Sequence, residues 1–442
     1  MLNRSAYRFY RLISSVQYRL GRRFTKAGLL TLITLVLLGF VAVDLEQASA
    51  YQTFSLLVCL VGVAMGSALF FRARFSARRT LPRFASVGEP LAYKLTLRNL
   101  THRAQHGLVL LENMADARPS YQEFVQTLRG GARGRSFRLT TPAPERRGAI
   151  TKECPAPSLP PDGEVEVRME MQPLNRGPLR FLGATIARPD LFGLFRGFVT
   201  VPLPQSVLVL PKRYPLPPIA LPGTLKYQQG GVALASSVGQ SEEFVSLRDY
   251  RPGDPTRHIH WKSWAKTGRP IVKEFLDEFF VRHALILDTF AGLHHEEAFE
   301  EAVSIAASFA CTVRTQESLL DLMFVGPEAF SFTAGRGLAH TEQMLEVLAG
   351  VRPCREKPFS ALSDLLLTHA ASLSGCIGVF LDWDEPRRLL VQRLKSLGLP
   401  MLILIVTDLP AADLLRRIPP PERPERLHIL EVGNIAEGLR KL

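Results

Sequence analysis

AGLLTLITLVLLGFVAVDLEQASAYQTFSLLVCLVGVAMGSALFF, residues 27–71, sets the architecture of this chain. It holds 17 residues without a charge from Ala27 to Val43 and 25 from Gln47 to Phe71. Apolar runs of about 17–25 residues have the length of a bilayer-spanning helix. Two N-terminal transmembrane helices are predicted, with a short external turn holding Asp44 and Glu46. Their outer flanks carry Arg4, Arg8, Arg11, Arg19, Arg22, Arg23 and Lys26 on one side and Arg72, Arg74, Arg78, Arg79 and Arg83 on the other. Basic flanks stay inside, so both termini are expected in the cytoplasm. Leu29–Val43 also fits the apolar core of a signal peptide, with Ala48, Ser49 and Ala50 as a small-residue cleavage site. The polar residues within the spans are Thr31, Thr34, Ser55 and Ser67, and none ionises. Anchoring is therefore expected rather than an ion path.

The same segment accounts for the charge. The 442 residues carry 54 Lys and Arg against 41 Asp and Glu, a net of +13. Residues 1–83 hold 12 of the basic and 2 of the acidic residues, leaving only +3 for everything downstream. The basic balance belongs to the membrane flanks, and no nucleic-acid partner is expected. Five cysteines, Cys59, Cys154, Cys311, Cys354 and Cys376, are odd in number and lack metal-ligand spacing, so neither a disulfide framework nor a zinc site is predicted.

After the spans, residues 83–214 alternate with period two. Leu91, Tyr93, Leu95 and Leu97 interleave with Ala92, Lys94 and Thr96, and Val165, Val167, Met169 and Met171 with Glu166, Arg168 and Glu170, the pattern of half-buried strands. Shorter candidates are Gly107–Glu112, Ser136–Thr140, Leu179–Ala187 and Val207–Leu210. About seven short strands among Pro-rich turns predict an all-β immunoglobulin-like sandwich. Residues 281–442 instead alternate continuous apolar runs (His283–Leu287, Leu320–Val325, Cys376–Leu381, Met401–Val406, Leu427–Val432) with helical patterns. That texture predicts an α/β domain with a mostly parallel sheet of Rossmann type. Asp288, Asp382 and Asp384 follow its strands, at the rim where such sheets bind ligands. They fit either a hard cation such as Mg2+ or caps on the following helices.

Between these domains, residues 215–280 hold a linker and SEEFVSLRDYRPGDPTRHIHWKSWAKTG, residues 241–268. Its charges are interleaved with Trp261 and Trp264. Asp254 before Pro255, with Gly268 at the far end, predicts a helix over residues 255–267 with Asp254 as its N-cap. On it Arg257, Trp261 and Trp264 share one face, and His258, Lys262 and Lys266 another. The segment reads equally as a recognition surface and as an ion-pair clamp of Glu243, Asp249 and Asp254 with Arg248, Arg251 and Arg257.

Glu243, Phe244, Leu247, Arg248, Tyr250, Gly253, Asp254, Arg257, Ile259, Trp261, Ala265, Lys266 and Gly268 resemble the signature of the DUF58 family of bacterial membrane-anchored proteins. NRGPLRFLGATIARPDLFGLF, residues 175–195, is similar to the segment that ends the sandwich in that family. The resemblance implies a von Willebrand A-like α/β domain, an inner-membrane location and a MoxR-type AAA+ ATPase partner in assembling or activating other proteins. It implies no cofactor and no catalytic activity. A metal-dependent adhesion site would read D-x-S-x-S, but Asp288 is followed by Thr289, Phe290, Ala291 and Gly292, so both serines are missing. No Walker A, G-x-S-x-G or H-E-x-x-H motif occurs. The expectation is a scaffold or adaptor with residues 1–26 as a basic tail and 27–71 as its anchor; the rival is a metal-dependent enzyme built on Asp288, Asp382 and Asp384.

Overall fold

The computed structural model describes residues 2–41, 48–115, 121, 148–217, 244–252, 254, 256–275, 281–292, 296–312, 318–334, 338–419 and 423–442. The turn with Asp44 and Glu46, the strand candidate Ser136–Thr140, Glu243 and Gly253 lie outside them, as do the side chains of Phe244 and Arg257. The chain divides into two compact units, Met1–Leu210 and Pro211–Leu442.

The first unit opens with helices Leu2–Arg23, Lys26–Val41 and Ala48–Leu69. Among the described residues, Tyr51–Ala68 is the one helical stretch long and apolar enough to cross a membrane, and Lys26–Phe40 is a shorter apolar helix. These two pack together so closely that a Cβ on Gly39 would stand 3.3 Å from the Phe54 ring. Thr31, Thr34 and Ser67 turn their hydroxyls back onto the carbonyls of Ala27, Leu30 and Ala64, which satisfies them without water. Most of the apolar surface remains uncovered, with Leu30 68%, Phe40 78% and Leu56 67% exposed.

Nine strands follow in chain order: β1 (Phe75–Thr80), β2 (Phe84–Ser86), β3 (Leu91–Asn99), β4 (Val109–Met114), β5 (Ala149–Thr151), β6 (Cys154–Pro155), β7 (Glu164–Pro173), β8 (Gly177–Pro189) and β9 (Arg196–Leu210). They form one sheet ordered β1-β3-β7-β5 and another ordered β2-β9-β8-β4-β6. The alternating side chains of β3 and β7 point inward and meet those of β8 and β9 in a shared core around Leu95, Leu97, Met169, Phe181 and Ile186. At the β8–β9 bulge only glycine fits, because a Cβ on Gly183 would lie 2.4 Å from the Val201 carbonyl.

A buried polar cluster pins the two sheets together. Arg79 on β1 pairs with Glu112 on β4 at 2.5 Å, and the Tyr93 hydroxyl on β3 donates to the same carboxylate at 2.8 Å. The guanidinium also lies 4.5 Å from the Phe181 ring centre. Burial pushes the Glu112 carboxyl up, against the lowering pull of Arg79 and the Tyr93 bond. Burial and the adjacent carboxylate likewise push the Tyr93 phenol up.

The second unit contains a small antiparallel pair, β10 (Phe244–Asp249) and β11 (Ile271–Phe275), and a six-stranded sheet. The latter comprises β12 (Val281–Leu287), β13 (Ser318–Val325), β14 (Ala329–Ala334), β15 (Gly375–Phe380), β16 (Met401–Thr407) and β17 (Leu427–Glu431). Its order is β14-β13-β12-β15-β16-β17, parallel except for the β14 edge. The inner strands β12, β13, β15 and β16 are buried on both faces, which explains their continuous apolar runs, while the edges β14 and β17 are only partly covered. Helices Glu296–Thr312, Leu338–Gly350, Ser360–His369, Glu385–Ser396, Ala411–Arg417 and Ile435–Arg440 lie between or after them. The Pro-rich segment leaving β9 is tied into this unit at once. The Tyr214 amide donates to Ser308 Oγ at 2.8 Å and its hydroxyl to Glu301 at 2.6 Å, both on helix Glu296–Thr312.

Candidate functional site

The charged segment singled out in the sequence is an excursion between β10 and β11. Asp249 stands opposite Ile271, and the Tyr250 amide donates to the Pro270 carbonyl at 2.9 Å, closing the neck. Arg248 reaches across with both terminal nitrogens to Asp254, at 2.7 and 2.8 Å. Asp254 also accepts the Arg251 amide at 2.9 Å. The Arg248 bonds first, then the Arg251 amide, hold this carboxyl down at about 2.

Asp254 is therefore the clasp of the turn and not the cap of the helix. The expected helix over residues 255–267 is shorter: Thr256–His258 form a 3-10 turn, Ile259 bridges to Val272, and the α-helix runs Trp261–Thr267. The cause is competition from β11. The His260 amide bonds the Ile271 carbonyl at 2.8 Å, which takes the chain out of helical geometry until Trp261. Gly268 ends the helix at φ 70°, a left-handed position suited to glycine. Trp261 and Trp264 stack with ring centres 5.2 Å apart, and Trp261 is 63% exposed. Lys262 and Lys266, one helical turn apart, are exposed, while His258 belongs to the preceding turn and does not extend their stripe.

Asp254→Asn should loosen this clasp, and hydrogen exchange at the Arg251 amide should quicken while exchange in the six-stranded sheet stays unchanged. The carboxyl is held below its unfolded value, so its contribution is present above about pH 4 and is lost as pH falls through about 2. Unaltered exchange at Arg251 would remove Asp254 from this role.

The acidic rim lies in the other candidate region. The sheet order reverses between β12 and β15, so the crevice beyond their carboxyl ends is where such a sheet would take a ligand. Asp288 stands there, fully buried, and its partners are all internal. Its carboxylate accepts the Phe290 amide at 2.9 Å, the Leu381 amide at 3.0 Å and Arg387 Nε at 2.7 Å. Arg387 also donates to Asp384 at 2.6 Å and lies 4.8 Å from the Phe359 ring centre. Asp384 N-caps helix Glu385–Ser396 by accepting the Arg387 amide. Burial alone would lower the Arg387 guanidinium, but the charges and hydrogen bonds of Asp288 and Asp384 raise it on balance.

Asp382 is not drawn into this cluster: its carboxylate accepts the neighbouring Trp383 amide at 2.7 Å. Thr407 Oγ1 accepts the Leu409 amide at 3.0 Å. Thr289 donates to the Val325 carbonyl at 2.5 Å instead of facing the crevice. The structure thus joins Asp288 and Asp384 through an arginine that the sequence reading passed over, and a fixed guanidinium fills the place proposed for a cation. No group of three or more potential metal ligands occurs among the described residues.

Residues 246–380 match the family described as "Protein of unknown function DUF58". The chain is also 28% identical over 184 residues to the Bacillus subtilis (strain 168) protein named "Uncharacterized protein YeaD". That alignment covers 41% of this chain and 44% of that protein, so the chain spans less than half the length of this curated relative. Among solved structures, a CARDB domain from Pyrococcus furiosus with di-metal ions is 14% identical at a TM-score of 0.18, covering 32% of this chain and 96% of that one. A Listeria innocua β-glucosidase with isofagomine is 13% identical at a TM-score of 0.18, covering 31% and 16%. Likenesses that distant carry no argument about fold or activity. The family match begins within β10, takes in the Trp261 helix and Asp288, and stops before Asp384 and Arg387: over residues 246–380 the chain carries a segment that matches the DUF58 family.

Proposed function

We propose that the protein is an inner-membrane-anchored scaffold or adaptor with cytoplasmic domains, working with a MoxR-type AAA+ ATPase in the assembly or activation of other proteins. The observation that carries the reading is the uncovered apolar surface of helices Lys26–Val41 and Ala48–Leu69, set between arginine-rich flanks. In water such a surface is costly; in a bilayer it is an anchor. On this reading the two-sheet domain is immunoglobulin-like and the six-stranded domain von Willebrand A-like. The exposed Trp261, Lys262 and Lys266 then form a docking surface for an acidic partner.

The rival metal-dependent enzyme loses its ligand set to Arg387, which already neutralises Asp288 and Asp384. A reporter active only outside the cytoplasm should be active near Ala48 and silent after Leu442. The full-length protein should bind a purified MoxR-type ATPase in a salt-dependent way, and Lys262→Glu with Lys266→Glu should weaken that binding without unfolding the protein, since exposed charges contribute about 0–1 kcal/mol per pair. A reporter active after Leu442, or binding indifferent to both substitutions and to salt, would sink the reading.

A further inference from the structure

The basic tail is more than a topology signal. Helix Leu2–Arg23 contains six arginines and no acidic residue. Its apolar side chains Phe9, Leu12, Ile13 and Val16 recur at the three- and four-residue spacing that gathers them on one face. All four are exposed, from 46% to 67%.

The rotation of the helix about its axis is fixed within its own unit. On the other side of the helix, Arg22 hydrogen-bonds Asn113 and donates to the Glu112 carbonyl at 3.2 Å, and the Tyr7 ring meets Tyr121 edge-on at 5.5 Å. The polar side therefore faces the β-domain and the apolar side faces away from it. At the C-terminal end the Thr25 amide donates to the Leu194 carbonyl at 3.1 Å. Gly28 then passes so close to that carbonyl that a Cβ there would be 1.9 Å from its oxygen. The apolar helix Lys26–Val41 starts at this junction. The amphipathic helix is thus held where the chain enters the apolar helix, with its greasy face open.

We propose that helix Leu2–Arg23 lies in the plane of the membrane surface, Phe9, Leu12, Ile13 and Val16 among the acyl chains and Arg8 and Arg19 on anionic phospholipid headgroups. Eleven residues separate those two arginines, three turns of helix, so they stand in one row along the border between the faces. Both are exposed. Arginine fits phosphate with paired donors, and a helix with an apolar face and basic borders partitions into an anionic interface. A second copy fits this surface less well. Joining two apolar faces antiparallel would set the Arg8 and Arg19 rows of the two copies side by side, with no acidic residue on either helix to offset them.

This inference rests on the anchored reading, and one experiment separates the two. The full-length protein is reconstituted into vesicles of phosphatidylcholine with phosphatidylglycerol, or of phosphatidylcholine alone, with bromine on the acyl chains as a contact quencher. Phe9→Trp and Tyr18→Trp are compared with the unmodified protein, whose own tryptophans set the baseline. The two positions are nine residues apart, two and a half turns, and so sit on opposite faces. Emission lost at Phe9→Trp but not at Tyr18→Trp, with the loss reduced in phosphatidylcholine alone and by Arg8→Gln with Arg19→Gln, is the expected result. Protein that floats with the vesicles but shows no extra quenching at Phe9→Trp, or equal quenching at both positions, overturns the inference and leaves the anchor standing. Quenching at Phe9→Trp that is as strong in phosphatidylcholine alone overturns the headgroup contact. Protein that does not float overturns the anchored reading itself.

Discussion

Arg387→Met is expected to cost about 3–5 kcal/mol of unfolding free energy, because it strands a fully buried carboxylate without its partner. Asp288 keeps the Phe290 and Leu381 amides, which soften the loss. It has no route to water, and Asp384 loses its guanidinium at the same time. Removing both charges with Asp288→Asn and Arg387→Met should cost less than the single change, since no ion is then left buried alone. Urea unfolding of the purified protein, followed by tryptophan emission to which Trp383 beside the cluster contributes, measures both. A midpoint unmoved by Arg387→Met would mean that the guanidinium does not neutralise the crevice, and the metal-dependent rival would return.

A comparable loss, about 3–5 kcal/mol, is expected from Arg79→Met between the two sheets of the first unit. Here the pH dependence adds a second signature. Burial already raises the Glu112 carboxyl, and Arg79 is what opposes it; without Arg79 the carboxyl rises further. A carboxyl raised above its unfolded value of about 4.3 stabilises the fold fully below that value, and the contribution is lost as pH rises through the folded one. The variant should therefore be hurt less at about pH 5 than at about pH 8, with the Tyr93 hydroxyl free to bond the neutral acid. An equal deficit at both pH values would show that Glu112 is not the group left stranded.

Neither long-range pair was visible in the sequence, for one reason, although Arg387 stands three residues after Asp384 and that contact was legible. Each arginine meets its acid across a long stretch of chain, Arg79 from Glu112 and Arg387 from Asp288, and no spacing rule connects such pairs. Local signals fared better where the burial pattern is local. The period-two runs of β3 and β7 are visible because one face is buried and the other wet, and the apolar runs at β12, β15 and β16 because both faces are covered. The 15-residue strand β9 showed only its last four residues. Pro202 and Pro204 break its pattern, and they sit where β9 has β8 on one side but lies beyond the short β2, which pairs only with Leu208–Leu210. The strands β10 and β11 hid among charges, and the edge strand β14 went unread. In the site itself, Asp254 and Arg248 were legible as a pair of opposite charges, but the early end of the helical stretch was not, because Ile259 and His260 answer to β11 rather than to their neighbours in sequence. The greasy face of helix Leu2–Arg23 was there to be counted at Phe9, Leu12, Ile13 and Val16, and the arginines around it drew attention to charge instead.

The Tyr214 fastening bears on how traction would travel. Chain leaving β9 is clipped by Tyr214 to helix Glu296–Thr312, whose inner face, with Phe299, Val303 and Phe309, is buried in the second unit. A pull arriving along the backbone from the first unit would load that helix and the parallel strands beneath it. The β10–β11 excursion, with Trp261 and the two lysines, comes later in the chain than the clip and lies off that path while the sheet bears the load; a partner gripping the excursion would itself become the far end of the pull.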